Sequence, residues 1–188
     1  MPFYKTAFPG LLIFEPVVFK DSRGYFLESY NEKTCREEGV DIRFVQDNQA
    51  KSSYGVIRGL HYQLQPYAQT KFIRVLTGAI LDVVLDLRKG SPTFGMTYSL
   101  ELSAENNKQL LVPHGFAHGY SVLSETAEVF YKCDSFYNKD AEAGIQYNDP
   151  ALNIDWMIPF ENRIISEKDT RHPDFAHCKN NFEFIPNK

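Results

Sequence analysis

The chain is predicted to fold as one all-β domain, a double-sheet barrel of jelly-roll type with one or two short helices. Three observations carry this. Short runs of alternating apolar and polar residues recur along the 188 residues, each closed by Gly, Pro or Asn. Aromatics make up 14% of the chain, with 15 Phe and 11 Tyr, residue types that favour strands. Only one segment carries clear helix start and stop signals, and no repeat, linker or compositional break divides the sequence, so residues 1–188 read as a single domain.

Taken in order, residues 11–18 read as an edge strand, because Pro16 removes a ladder donor that an edge tolerates. Asp21-Ser22-Arg23-Gly24 is a turn, and the strand after it sets Phe26, Glu28 and Tyr30 on one face. Asn31 can cap and Gly39 can stop a short helix over 31–39. A strand begins at Ile42 and turns polar through Gln46, Asp47 and Asn48. Val56 to Gln63 and Lys71 to Leu76 are further strands, the second closed by Thr77-Gly78. Ala79 to Leu87 alternates most clearly, with Leu81, Val83, Leu85 and Leu87 on one face and Ile80, Asp82, Val84 and Asp86 on the other. Strands also follow at Thr97 to Leu102, Gln109 to Val112 and Glu128 to Cys133, while Pro113 to Tyr120 forms a turn leading into another. Asn138 to Asp149 is a polar loop, and from about residue 174 the composition suggests less order.

Composition excludes several classes. A net charge of −4 leaves no basic footprint for nucleic acid or an anionic membrane, so an anionic ligand must be held by local cations. Cys35, Cys133 and Cys178 are odd in number, far apart and without a CxxC pair, which fits a reducing compartment. The first residues lack the apolar core of a signal peptide, and no apolar run approaches the roughly 20 residues of a membrane span, so the cytoplasm is expected.

The richest chemistry lies in Arg58-Gly59-Leu60-His61-Tyr62-Gln63 with Gln69-Thr70-Lys71. A core strand has no use for so many polar groups; a site that holds an anion and moves a proton does. A lone strand histidine is ordinarily a satisfied core residue, but the cations and amides around His61 mark it as a base, since imidazole titrates near neutrality. By alternation His61 shares a face with Gly59 and Gln63, and Arg58 falls on the other. Lys71 and Arg74, three apart, point to opposite faces, so only one of them shares the cavity. Tyr131 faces with Val129 and Cys133, either as core or as a phenol that can donate a proton. Asp82 is a candidate carboxylate partner for His61, and Asp169 sits in what reads as a surface charge run. His114 and His118 have chelate spacing only on a helix. Pro113, Gly115 and Gly119 argue against one, and four extended residues span about 13 Å, so no metal is expected.

Several segments together resemble the dTDP-4-dehydrorhamnose 3,5-epimerase family of cupin-like sugar-nucleotide enzymes, from about Phe3 to about Pro173. They are Asp21–Glu28, Gln46–Asn48, Gly55–Gln63, Gln69–Lys71, Asp82–Arg88, Ser91–Gly95, Pro113–Gly119, Tyr131-Lys132, Asn148–Pro150 and Ser166–Asp169. The resemblance implies a metal-independent epimerase that needs no cofactor and acts at C3 and C5 of a dTDP-4-keto-6-deoxysugar. It implies His61 as base with Asp169 as its carboxylate, Tyr131 as acid, and Lys71 on the enolate oxygen with His118 nearby. Arg58 and Gln46 would bind the pyrophosphate, with Asn48 in the same matching segment. A homodimer is implied, with Arg23 reaching across from the partner. Glu28 and Phe26 would meet the thymine, Tyr137 and Phe19 would stack on it, and Glu142 and Lys168 would line the nucleotide end. Ala50, Met96-Thr97 and Asp155-Trp156-Met157 depart from the family pattern without touching these groups.

Overall fold

The computed structural model describes residues 3–186. Its elements run β1 (Phe3–Lys5), β2 (Leu12–Phe14), β3 (Val18–Asp21), β4 (Gly24–Leu27), α1 (Glu32–Glu37), β5 (Gln46–Ser53), β6 (Val56–Gln63) and β7 (Lys71–Thr77). They continue through β8 (Ala79–Asp86), β9 (Thr97–Ser103), β10 (Gln109–Val112), β11 (Phe116–Val122), β12 (Thr126–Cys133), β13 (Glu142–Gly144) and β14 (Ile164–Ile165). One sheet has the order β1-β2-β10-β7-β12-β5 and the other β13-β6-β11-β8-β9. β14 lies parallel to the start of β6, while β13 covers its end. The hairpin β3-β4 stands apart from both sheets. This is the expected jelly roll.

Strand alternation builds the core. Ile73, Val75, Leu110, Val112, Ala127 and Val129 of the first sheet meet Ile80, Val84, Leu102, Phe116 and Val122 of the second. The opposite face of β8 is just as buried, because Leu81, Val83 and Leu85 pack under Ile145, Leu152, Trp156 and Phe182 from the C-terminal segment. The indole N–H of Trp156 donates to the Tyr147 carbonyl at 2.7 Å, so the large side chain is buried without an orphan donor. On the first sheet, Phe14, Phe72 and Leu111 are covered by Cys35 and Val40, with Ile42 and Phe44 against them.

The helix follows its signals: Asn31 accepts from the Thr34 amide at 3.2 Å, and Gly39 takes φ +85° just past the end. Four expectations change. Residues 11–18 are not one edge strand: β2 pairs on both sides, with β1 and β10, and Pro16 falls in the connection to β3. Residues 42–45 form no strand, because Ile42 and Phe44 cover the outer face of the first sheet instead of pairing. Glu28 and Tyr30 lie beyond the end of β4, so they do not share its face with Phe26. The loop from Asn138 contains a 3-10 turn, Lys139–Ala141, and β13.

The segment from 174 is docked rather than loose. Phe182 is buried, Tyr62 donates to the Lys179 carbonyl at 2.6 Å, and Glu183 bridges Lys89. Among the described residues no helix is long and apolar enough to cross a membrane.

Candidate active site

An irregularity in β6 sets the site. Antiparallel partners against β11 are His61 with His118 and Arg58 with Tyr120, so three residues of β6 span two of β11. His118 and Tyr120 share a face, hence Arg58 and His61 do too. The alternation that separates them in sequence, and that groups His61 with Gly59, is reset by this bulge. It needs glycine: Gly59 has φ +126°, and a Cβ there would stand 2.5 Å from Gly119 Cα.

His61 Nε2 lies 2.6 Å from Asp169 Oδ1. The carboxylate is buried, at 3% exposure, while the imidazole is half-buried. Pairing of β14 with Val56 and Ile57 carries the chain to this point, where Asp169 opens a 3-10 turn and its amide donates to Ser166 Oγ at 3.1 Å. Burial alone would raise the Asp169 pKa. The His61 hydrogen bond, the His61 charge and the Gly59 amide outweigh it and hold the carboxyl below its ordinary range. An ionised Asp169 keeps the shared proton on Nε2 and leaves the other ring nitrogen free to accept one. Asp82, the other candidate partner, is taken by His118, whose Nε2 stands 2.8 Å from Asp82 Oδ2 in the barrel interior.

The facing wall comes from the first sheet. Lys71 opens β7 with its ammonium 5.8 Å from the ring centroid of Tyr131 on β12. Arg74 lies on the other face, in a groove with Tyr30 and Phe72. Burial presses the Lys71 pKa below the usual lysine range, against the opposing pull of Cys133, Asp82 and Glu142. Burial also pushes the Tyr131 phenol up to about 12, so it stays protonated at neutral pH. The Cys133 thiol, beside Lys71, is pushed by burial up to about 11.

A cavity of about 320 Å³ between the walls is lined by His61, Lys71, Tyr131, Gln46, Asn48, Tyr137 and Glu142, together with Tyr62, Gln63 and Gln69. Its polar rim is held in place by hydrogen bonds: Gln46 Nε2 donates to Asn48 Oδ1 at 3.1 Å, the Tyr137 amide to Gln46 Oε1 at 3.0 Å, and the Tyr137 hydroxyl to Glu142 Oε2 at 3.0 Å. Lys168 closes the rim on Glu142 at 2.6 Å. Arg58, Lys168 and Asp169 line an adjoining cavity of about 440 Å³ that shares His61. Arg58 is exposed there and donates through Nε to Ser52 Oγ at 3.1 Å.

Other predicted residues are not brought to the cavity within this chain. His118 lies behind it with Asp82. Phe19, Arg23 and Phe26 stand on the exposed β3-β4 hairpin, where Arg23 pairs with Asp21 at 2.6 Å, and Glu28 accepts from Asn31. His114 turns away from His118, to Asp134 at 2.8 Å. His172 is absent from the sequence-based set, yet its Nε2 is 3.6 Å from Asp169 Oδ1 and its ring centroid 5.6 Å from that of His61. The one available signal was a histidine three residues after the carboxylate.

The family model for dTDP-4-dehydrorhamnose 3,5-epimerase matches residues 5–177. A curated relative of that name from Shigella flexneri is 51% identical over 173 residues, covering 92% of this chain and 94% of its own. One from Pseudomonas aeruginosa is 48% identical with the same coverage. The crystal structure of the Elizabethkingia anophelis NUHP1 epimerase superposes with a TM-score of 0.89 at 53% identity, covering 94% of this chain and 97% of that one. A Legionella pneumophila epimerase in complex with dTDP-4-keto-L-rhamnose gives 0.89 at 44% identity, covering 94% and 93%. With its jelly roll, its His–Asp pair and matches spanning nearly its whole length, the chain belongs to the dTDP-4-dehydrorhamnose 3,5-epimerase family.

Proposed function

We propose that the protein inverts C3 and C5 of dTDP-4-dehydro-6-deoxy-D-glucose to give dTDP-4-dehydro-L-rhamnose, a step toward dTDP-L-rhamnose. The observation that carries this is one cavity with His61, hydrogen-bonded to buried Asp169, on one sheet, and Tyr131 and Lys71 on the other. The C4 ketone acidifies the hydrogens at both neighbouring carbons. His61 removes one of them, and the resulting enolate carries its charge on the C4 oxygen. Lys71 supplies a cation for that oxygen, and such pre-set charge is usually the largest contribution to catalysis. Tyr131, held protonated by burial, delivers a proton to the opposite face of the ring. The same cycle at the second carbon completes the inversion. Asp169 keeps His61 in the tautomer that can accept, and His118 with Asp82 backs the cavity.

Gln46, Asn48, Arg58, Tyr137, Glu142 and Lys168 form the rim that would take the nucleotide, whose binding energy is remote from the reacting carbons. Phe19, Arg23, Phe26 and Glu28 complete that rim from a second copy in a homodimer. The exposure of Phe19, Arg23 and Phe26 on a hairpin apart from both sheets, and of Glu28 just past it, supports this reading. The free cysteines, two of them buried, fit a cytoplasmic protein.

The test is solvent exchange. In deuterated water the 4-keto substrate should acquire label at both C3 and C5, located by NMR, and His61→Ala should abolish both. Label at one carbon alone would make the protein a mono-epimerase, a specificity compatible with this fold. A 3'-monoepimerase from Streptomyces bikiniensis, solved with dTDP, superposes at a TM-score of 0.85 and 32% identity, covering 92% of this chain and 87% of that one.

A further inference from the structure

His172 stands beside the dyad with an unused ligand atom. Its Nε2 is buried and has no hydrogen-bond partner, although its side chain is only 13% exposed. One ring nitrogen of His172, one of His61 and an Asp169 oxygen all lie within 4.8 Å of one another. Zinc binds imidazole nitrogen and carboxylate oxygen at about 2.0–2.2 Å, which puts neighbouring ligand atoms on a tetrahedral ion about 3.3 Å apart. The His172–Asp169 separation of 3.6 Å already matches this. The His61–Asp169 separation of 2.6 Å is that of a shared proton, and must open by well under an ångström for an ion to replace the proton. Two imidazoles and one carboxylate are a donor set that suits zinc, cobalt and nickel and leaves a coordination position open.

Room and access are present. His172 fits only because residue 144 is glycine, since a Cβ there would stand 2.4 Å from Nε2. A cavity of about 490 Å³ lined by His172, Gly144 and Lys168 borders the cluster at His172. The cavity of about 440 Å³ shared by His61 and Asp169 borders it at those two residues. Lys168, which lines both cavities, is paired with Glu142 at 2.6 Å. Among the described residues the other histidine–carboxylate pairs, His114 with Asp134, His118 with Asp82 and His177 with Asp174, offer two ligands each.

We propose that His61, Asp169 and His172 form a binding site for a divalent transition metal of the zinc class, and that its occupation switches off epimerisation by capturing the base. The metal site stands on the geometry alone; its inhibitory effect rests on the reading of His61 as base.

The probe is zinc chloride, followed by calorimetry on the purified enzyme, with cobalt chloride as a spectroscopic substitute. Wild type should bind one equivalent that His172→Gln loses by at least about tenfold in affinity. With a chelator present, His172→Gln should epimerise normally, which also shows that it is folded. Zinc should then inhibit wild type and spare the variant. Equal zinc affinity in the two proteins overturns the site. A zinc-soaked crystal gives an independent reading: an anomalous peak at His114 or His177, with none among the three residues, also overturns it. His172-dependent binding that leaves epimerisation untouched overturns the inhibitory effect and the role of His61 as base, but not the site.

Discussion

Asp169 shows how far a residue's meaning depends on where the fold delivers it. In sequence it sits among Ser166, Glu167 and Lys168 and reads as a solvated charge; in the structure it is buried against His61. Asp169→Asn keeps the shape but can leave His61 in the wrong tautomer. Steady-state kinetics should show kcat down by about 10²–10⁴-fold with KM little changed. His61, Lys71 and Tyr131 were legible as polar groups on strands. His172 was not, because its one signal, a place three residues after Asp169, means nothing until Asp169 itself is placed. Asp86 carries charge for stability instead. Burial would raise its pKa, but Arg88 at 2.7 Å, Ser91 and Thr93 outweigh this and hold it below the ordinary carboxylate value. Its contribution is therefore full above an unfolded-state pKa of 3.8 and is lost as pH falls through the lower folded value. Asp86→Asn should cost about 3–5 kcal/mol in urea unfolding at pH 7, and the gap from wild type should narrow below about pH 4.

Among the elements, β6 is the one whose sequence states a conflict that only the fold resolves. Strict alternation puts Arg58 and His61 on opposite faces, yet both line one cavity. The bulge against β11 adds the residue that reconciles them. A single sequence shows the glycine but not which ladder it disrupts. Gly59→Ala would set a methyl against Gly119 at a backbone angle that disfavours any side chain. The midpoint of thermal unfolding should fall, and activity in the surviving folded protein should drop further than for a substitution at exposed Lys51. β8 was read correctly because its alternation is regular. Residues 42–45 were misread because an apolar run that covers a sheet and one that joins a sheet have the same composition.

For the whole molecule, the proposed homodimer, in which the hairpin would cross to the partner, is tested by a mixing experiment. His61→Ala and Arg23→Ala homodimers should each be weak. After unfolding and refolding together, chains pair at random, and heterodimers regain one intact site each, about a quarter of all sites. No recovery would mean that Arg23 does not act in trans. Exposed Phe19, Tyr25 and Phe26 on that hairpin are the surface such a partner would cover. The jelly roll itself was legible from turns and alternation. The sealing of its second sheet was not, because Trp156, Ile145 and Phe182 come from segments with no regular period. That seal has a temporal side. The segment that covers β8 also carries Asp169, which follows all of the barrel's strands in the chain. During synthesis the barrel can close with His61 in place while Asp169 is still unmade, since domains form from the N-terminal side first. The His61–Asp169 pair thus forms only with the closing wrap, so an unfinished chain holds a pocket whose histidine lacks its carboxylate.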